Sequence, residues 1–437
     1  MFDATVDWAW KGPAPGSHAL HAARLLLLDS LACALAGLAQ DRPRAMARVL
    51  AATHPGTLQL PGCPSLGPAG AAAALAAAMC WDEANEGLAR AHGRPGLAVA
   101  PIALAALANG VSLGEALAAY ALGYEAAARA GEAWRIKPGM HVDGSWHSLG
   151  AAAAAARLAG GDMAAASCAI RIAACQIPFS LYAPIGAGMD GRNSYPAHAV
   201  MLGQLAAASA LAGLDAPESG FATARTLALG LSEPAVTEAP GTWLLEEAYL
   251  KPFAGVRHAH YAAAAALVLR PQLAGAEPRA IVLQTYPEAL QYAGNRAPMA
   301  PIAAQFSLSW AVAAALVQGD LGPSAYTERA LSDPRIRGLE SMVQLSEDPS
   351  LPQGQRGARL CLTMPDGQEA EAVIASVIGD SDRPMDEAGA VAKFRRYASV
   401  SLTGAAVEAA LAAMLGPLEG CPGACIFGAA SGLTSRP

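Results

Sequence analysis

The chain has 437 residues, of which 54% are hydrophobic, 5% aromatic and 15% charged. Charged residues make up roughly a quarter of ordinary soluble domains, so we expect much of this chain to be buried, in a large core or at subunit contacts. Its 29 basic and 36 acidic residues give a formal net charge of −7, and no Lys/Arg-rich run occurs. These features exclude nucleic-acid binding through a basic surface.

The sequence contains no segment that we expect to cross a membrane. Its longest apolar run, Ala69–Trp81, ends at Asp82 and is shorter than the roughly 20 residues that a spanning helix needs. The first residues include acids where a signal peptide carries bases. We therefore predict a cytoplasmic protein whose eight cysteines are reduced.

No motif for a nucleotide, a metalloprotease zinc ion or a serine triad appears in the sequence. The closest cysteines, Cys421 and Cys425, lack the second pair that a zinc site of this spacing would need. We therefore predict that the protein needs no metal and no cofactor.

The first half of the chain is rich in alanine and leucine with a helical pattern. Glycines separate the successive segments, as expected at helix ends. Helices that are apolar nearly all round belong in the centre of a bundle. The predicted helices cover 18–38, 69–80, 98–109, 112–130, 148–160 and 201–212.

The pattern changes after about residue 250. Alternating or β-rich segments predict strands at 279–286, 341–345, 359–363 and 369–376, and the last two flank a hairpin turn at Pro365-Asp366-Gly367. Helical patterns occupy 258–269 and 303–317, and the chain returns to helix over 387–416. The tail from Pro417 is rich in small residues and is expected to be loose.

These patterns predict a mainly α protein of two domains. Residues 1–250 and 388–437 would form a large all-helical domain built from both chain ends, with no strand in 69–160. Residues 251–387 would form a smaller inserted α+β lid.

Polar residues interrupt the apolar helices at several points. In the acidic run Trp81–Glu86, Asp82 lies ten residues before His92. A later loop between glycines carries His141 and His147. Each histidine is either an acid–base group or an ordinary loop or surface residue, and the sequence alone leaves both interpretations open.

Three later segments add further candidates. Arg192 either clamps a carboxylate or pairs with Asp190 on the surface. Lys251 begins a segment that contains His258 and His260, which are too close in sequence to face one site together. Tyr292 is either a proton donor or an ordinary half-buried tyrosine.

Taken together and in order, these segments resemble the MmgE/PrpD family, which includes 2-methylcitrate dehydratase, cis-aconitate decarboxylase and iminodisuccinate epimerase. LLLLDSLACALAG looks like the family's first long helix, and ALAAYALGYEAAARAG resembles its AY..GYE...R.G helix. KPFAGVRHAHYAAAAAL resembles its KP...CR..H segment, and AAQFSLSWAVAAALVQG its A.FS..Y..A.AL..G segment. The resemblance covers nearly the whole chain and implies a homodimer without a metal.

The resemblance also implies roles for individual residues. The implied catalytic residues are His92, His141, His260 and Tyr292. The residues that we predict to bind substrate are Asp82, Glu86, Arg192 and Lys251. His258 does not match the family's histidine, and we predict that His147, His198 and His258 point away from the site. The chain departs from the family pattern in the acidic run, which reads roughly D-F-D-D-T in the family, at Gly93, where a proline is usual, and at Arg192, where a lysine is usual. The last residue of the run, Glu86, stands where a hydroxyl is usual.

The function implied is carbanion chemistry beside a carboxylate. The leading hypothesis is a metal-independent lyase that dehydrates or decarboxylates a citrate- or aconitate-like di- or tricarboxylate through histidine acid–base chemistry. The alternative is an epimerase of an iminodisuccinate-like aminodicarboxylate, with Glu86 holding the nitrogen. The third is a helical scaffold that has lost catalysis.

Overall fold

The computed structural model describes residues 1–273, 275–352 and 354–428, and most of them are helical. The helices before residue 250 are α1 (Phe2–Ala9), α2 (His18–Leu38), α3 (Asp41–Thr53), α4 (Pro68–Cys80), α5 (Gly96–Ala108), α6 (Leu113–Ala133), α7 (His147–Leu158), α8 (Met163–Ala174), α9 (Ala183–Gly186), α10 (Tyr195–Leu211) and α11 (Gly220–Ala224). The later helices are α12 (Ala259–Leu269), α13 (Pro287–Ala293), α14 (Pro301–Gln305), α15 (Leu308–Gln318), α16 (Glu328–Leu331), α17 (Pro334–Met342), α18 (Glu387–Ala398), α19 (Gly404–Met414) and α20 (Gly423–Phe427).

The centre of the molecule is a bundle in which α7 packs against α6, α8 and α10, and α4 packs against α2, α5 and α10. Small residues let these helices approach closely. A Cβ at Gly123 of α6 would lie 2.6 Å from the carbonyl oxygen of Gly150 in α7, so a larger residue there would push the helices apart. The abundance of alanine and glycine in the sequence therefore produces tight helix contacts in the fold.

Helix α2 is long and apolar enough to span a membrane by length and composition, and 78% of its most apolar window is buried by the rest of the protein. One reason is its contact with α18, which packs along it. Lys393 of α18 donates to Asp29 of α2 at 2.5 Å and to the Ala84 carbonyl at 2.6 Å. This buried pair joins the two ends of the chain to the acidic run. The domain boundaries at 250/251 and 387/388 stay predictions.

The later part of the chain contains a four-stranded sheet in the order β4-β3-β5-β6. Its strands are β3 (Ala280–Thr285), β4 (Val343–Glu347), β5 (Ala358–Thr363) and β6 (Glu369–Ile374). β3 runs parallel to β4 and antiparallel to β5, with Thr285 opposite Ala358. Helix α12 packs on β5 and β6, and also on α15. All four strands and the Gly367 turn, with φ at 87°, lie where the alternation predicted them.

The expectation of no strand within 69–160 is wrong at one place. β1 (Met140–His141) pairs antiparallel with β2 (Ser180–Leu181). Gly139 and Gly144 adopt φ values of 86° and 83° and turn the chain on either side of β1. The helical part of the fold therefore carries a two-residue ladder, and this ladder fixes the position of His141.

Two predicted helices are each interrupted. The helix predicted at 303–317 divides into α14 and α15, because Ser307 caps α15 by accepting from the Trp310 amide at 3.1 Å. The return to helix at 387–416 divides into α18 and α19, and Thr403 caps α19. The predicted loose tail contains α20, and residues 429–437 lie outside the described residues.

Candidate active site

A buried cluster of opposite charges lies where several helices begin or end. We call Glu83, Asp143, Arg94, Arg192 and Lys251 the charged cluster. Arg192 donates to Asp143 at 2.7 Å and contacts Glu83, while Arg94 pairs with Glu83 at 2.9 Å and contacts Asp143. Burial raises the pKa of Asp143, but Arg94 and Arg192 outweigh it and hold that pKa well below its usual range. The two acids are therefore ionised and neutralised inside the protein.

The cluster is assembled from segments distant in sequence. Glu83 follows the end of α4, and Arg94 lies in the turn before α5. Asp143 lies in the turn before α7, and Arg192 precedes α10. Packing of these four helices brings their termini together, which places all four side chains at one point.

Lys251 lies on one side of this cluster. Its Nζ donates to the Glu83 carbonyl at 2.7 Å and lies 3.9 Å from a Glu83 carboxylate oxygen. Burial lowers the pKa of Lys251 to about 8. An ammonium with N–H groups beyond these contacts is suited to holding an anion, as the sequence resemblance implied.

The cluster also contains a group whose spacing would suit a metal ion. The ligand atoms of Cys80, Glu83 and Asp143 lie within 4.8 Å of one another. However, Arg192 donates to Cys80 Sγ at 3.2 Å as well as to Asp143, and Arg94 pairs with both acids. The donor set is thus matched to two guanidinium groups, which would repel a divalent cation.

His141 borders the charged cluster. Its Nδ1 accepts the backbone N–H of Asp143 at 3.0 Å, and its side chain is 10% exposed. Burial lowers the pKa of His141 to about 4. At neutral pH the ring is therefore uncharged, and because Nδ1 is an acceptor the proton lies on Nε2. Nε2–H is then a donor for a ligand.

His147 was predicted to point away from the site, and this stays a prediction. Its ring stacks on Trp146 with centroids 3.9 Å apart, and Nε2 lies 3.9 Å from Asp143. Neither ring nitrogen has a hydrogen-bond partner among the described residues. Burial lowers the pKa of His147 to about 3, so it is a neutral histidine behind Asp143.

Aromatic side chains connect His141 to the later part of the chain. Tyr182 stacks on His141 at 6.2 Å and meets Tyr292 edge-on at 6.1 Å. Tyr292 in turn stacks on His258 at 6.0 Å, and His258 Nδ1 lies 2.7 Å from the Tyr286 hydroxyl. We call Tyr182, Tyr292, His258 and Tyr286 the aromatic wall. That His258 points away from the site stays a prediction.

His260 is fully buried beside the wall, and both of its ring nitrogens are occupied. Nε2 lies 3.3 Å from the Gly255 carbonyl, and Nδ1 lies 3.2 Å from a guanidinium nitrogen of Arg257. Arg257 pairs with Asp380 at 2.5 Å. In this arrangement His260 orients Arg257 and has no free nitrogen for a ligand.

His92 lies in an exposed turn and has a positive φ of 50°. Its side chain has no hydrogen bond or ion pair among the described residues. Desolvation, followed by the charges of Arg135 and Arg356, lowers the pKa of His92. It is therefore neutral at pH 7 and keeps a lone pair. Its convergence with His141 on one ligand stays a prediction.

Asp82 and Glu86 contact none of these histidines among the described hydrogen bonds. One carboxylate oxygen of Asp82 has no hydrogen-bond partner within the described part of the chain, and burial raises the pKa of Asp82 to about 7. Glu86 accepts from the Gly96 amide at 2.9 Å and from the Tyr124 hydroxyl at 3.2 Å. Burial raises the pKa of Glu86 to about 8.

Several residues of the site were not among the sequence candidates. They are Glu83, Arg94, Asp143, Tyr182 and Arg257. All the charged ones among them are buried, and a charge in an apolar setting requires a partner. Charges next to glycines between apolar helices were the sequence feature that could have identified them.

Two family models match this chain. The MmgE/PrpD N-terminal domain matches residues 12–238, and the MmgE/PrpD C-terminal domain matches residues 253–416. The chain belongs to the MmgE/PrpD family. This confirms the resemblance found in the sequence, and members of this family are generally enzymes of the dehydratase, lyase or epimerase kind. A comparison with curated proteins gives no match.

Proposed function

We propose that this MmgE/PrpD protein is a metal-independent lyase that removes water or carbon dioxide from a citrate- or aconitate-like polycarboxylate. The observation that carries the proposal is the pairing of neutral histidines with a buried charged cluster. His141 lies within 3.9 Å of Asp143, and its lowered pKa leaves it uncharged at neutral pH. Such a site supplies both fixed charge and proton transfer in one desolvated place.

Fixed charge is needed because a carboxylate stabilises an adjacent carbanion poorly. Preorganised cations in a dry site stabilise the negative charge that develops as the carbon–hydrogen or carbon–carboxylate bond breaks. Lys251 is suited to this role, because its ammonium is held at one point by the Glu83 carbonyl. Arg192 contributes less directly, since Glu83 and Asp143 already engage one of its terminal nitrogens and Cys80 and Asn193 engage the other.

Proton transfer is divided between groups of different character. His92 has a free lone pair and is assigned as the base that takes the α-proton. His141 presents Nε2–H and is assigned as the donor to the departing hydroxyl or to the developing enolate, as a neutral imidazole can be. Tyr292, which is 40% exposed, is the second candidate donor.

The epimerase alternative depended on Glu86 holding a substrate nitrogen. Glu86 instead bonds the Gly96 amide and Tyr124, and its side chain is fully buried. No other described contact favours an amino-substituted substrate. The lyase is therefore the better supported of the two.

The test is a product analysis with purified protein and a panel of citrate- and aconitate-like acids. NMR in deuterated water distinguishes loss of water, loss of carbon dioxide and simple exchange of the α-proton. We expect elimination or decarboxylation that persists in EDTA and falls by roughly 10²- to 10⁴-fold in His141→Ala. The exposed His198→Ala serves as the matched control. Exchange alone would support the epimerase, and no turnover or binding of any acid would support the inactive scaffold.

A further inference from the structure

We propose that Arg356 is a substrate-binding residue, which binds one carboxylate of the polycarboxylate from the side of the sheet. This rests on the proposed function and deepens it by naming a residue that the sequence resemblance did not. The first support is the placement of Arg356 by the strand register. Thr285 pairs with Ala358, and the Thr285 hydroxyl donates to the Gly357 carbonyl at 2.7 Å. Arg356 therefore lies opposite the end of β3, where Tyr286 begins the aromatic wall.

The residue after Arg356 is held firmly in place. A Cβ at Gly357 would lie 3.0 Å from a Leu351 methyl carbon and 3.1 Å from the Ile374 carbonyl oxygen. The backbone is therefore packed between a loop and β6, and the start of the Arg356 side chain is defined. A side chain based at a fixed point is a suitable ligand for a small acid.

The charge of Arg356 acts on both sides of the site. Tyr286 and Tyr261 belong to the later part of the chain, whereas Tyr249 pairs with Gly87 beside the acidic run. Desolvation lowers the pKa of Arg356, but these three hydroxyls and the Asp380 carboxylate, which is already paired with Arg257, outweigh it and raise that pKa. The same guanidinium lowers the pKa of His92 and of His258. Arg356 thus lies near the assigned base and the aromatic wall together.

A comparison of the cations around the site distinguishes Arg356. Arg94 and Arg192 are paired with Glu83 and Asp143, and Arg257 is paired with Asp380. Arg356 is exposed and has no hydrogen bond or ion pair among the described residues. Guanidinium groups bind carboxylates through two parallel hydrogen bonds, so a guanidinium that pairs with no carboxylate among the described residues and lies next to the aromatic wall is matched to a carboxylate of the substrate.

The experiment measures binding by isothermal titration calorimetry, with citrate, trans-aconitate and tricarballylate as probes. For each acid that the parent protein binds, Arg356→Ala should raise Kd roughly 10- to 100-fold, the loss expected for a charge-assisted pair. The Kd of Arg356→Lys should lie between those of the parent and of Arg356→Ala, because lysine keeps the charge and loses the planar guanidinium. Glutarate, with one carboxylate fewer than these acids, should be affected less.

The matched control is Arg335→Ala, which removes the same charge from the exposed surface of α17, where Arg335 is 60% exposed. We expect its Kd values to stay within about twofold of the parent, as for an exposed charge. If Arg356→Ala binds the acids as tightly as the parent, the Arg356 proposal is wrong and the proposed function stands. If the parent binds none of them, the proposed function fails as well. Arg356→Lys keeps the test informative if the alanine variant does not fold.

Discussion

Glu83 and His92 both adopt the left-handed backbone conformation, with φ values of 54° and 50°. For a residue with a side chain this costs on the order of 1–3 kcal/mol. Arg94, Arg192 and Lys251 hold Glu83 in place. A hydrogen bond from the Leu88 backbone N–H to the Gly93 carbonyl at 2.8 Å closes the turn that contains His92. Backbone strain at these two positions is consistent with side chains that must point in a set direction.

The first prediction concerns His92. Asparagine tolerates the left-handed region, so His92→Asn should fold normally and lose the base. We expect kcat/KM to fall roughly 10²- to 10⁴-fold while Tm stays close to that of the parent. Steady-state kinetics and thermal melting measure the two effects, and His198→Asn is the control. An active His92→Asn enzyme would contradict the assignment of the base.

The second prediction concerns the pH dependence of the parent enzyme. Desolvation lowers the pKa of His92, so its lone pair is present at pH 7 and is lost only when the pH falls below that lowered value. The profile of kcat/KM should therefore be flat from neutral pH down to below the ordinary histidine pKa of about 6.5, and fall on the acid side. A profile that falls as the pH rises through 6 to 7 would require a protonated histidine instead.

The sequence indicated some residues of the site and missed their partners for a physical reason. Asp82 and Glu83 are neighbours in sequence, and the composition of the run does not show which carboxylate faces Arg192. The positive φ at Glu83 decides it, and this depends on tertiary contacts. Arg192 was predicted to bind substrate because the sequence does not show its partner. That partner, Asp143, lies in a turn 49 residues earlier in the chain.

At the scale of elements, the joint between the two chain ends depends on one buried ion pair. Lys393 of α18 is 3% exposed and Asp29 of α2 is 1% exposed, and each also bonds the acidic run. The third prediction is that Lys393→Met leaves Asp29 without its charge partner and lowers the free energy of unfolding by about 3–5 kcal/mol. Chemical denaturation measures this loss.

The control for this variant lies on the same helix. Arg395 pairs with Glu408 at 2.7 Å, but both side chains are more than half exposed. Arg395→Met should therefore cost less than about 1 kcal/mol, as exposed pairs do. Equal effects of the two substitutions would show that the buried pair is not what joins α2 to α18.

The fourth prediction concerns Glu86, which accepts the Gly96 amide at the start of α5. Burial raises the pKa of Glu86 to about 8, above its value in the unfolded chain. Its contribution to stability is therefore full at low pH and is lost as the pH rises toward 8. Glu86→Gln removes the ionisable group. The free energy of unfolding of this variant, relative to that of the parent, should therefore increase between pH 5 and pH 8 by at most about 1.4 kcal/mol per pH unit. Thermal melting across this range measures it, and a constant difference would contradict it.

The elements that sequence patterning located best are those whose burial follows a simple period. The predicted helix at 18–38 matches α2, and the four strands lie within two residues of their expected ends. The breaks at Ser307 and Thr403 were missed, because a helix cap in the middle of an apolar run changes the backbone without changing the pattern. The β1–β2 ladder was missed because two residues are too few to show a period.

At the scale of the whole molecule, apolar side chains remain exposed near the ladder that carries His141. Phe179 is 61% exposed, Leu181 50% and Met189 64%. Leu181 lies in β2, opposite Met140, and Tyr182 of the aromatic wall follows it. Contiguous exposed apolar surface of this kind is typical of a contact surface. The low content of charged residues led to the same expectation from the sequence.

The last prediction is that the protein is a homodimer in which this apolar surface is covered. An obligate interface buries more than roughly 2,000 Å2, and light scattering at micromolar concentration should give twice the 44.2 kDa mass of the chain. Phe179→Asp places a charge on the surface and should shift the mass toward the monomer. Val49→Asp is the control, because Val49 is 68% exposed on α3, outside the Phe179–Met189 surface, and it should leave the dimer intact. A parent protein that stays monomeric would contradict the prediction. A dimer unaffected by Phe179→Asp would place the interface on another face, because a charge buried without a partner is not tolerated in a closely packed contact.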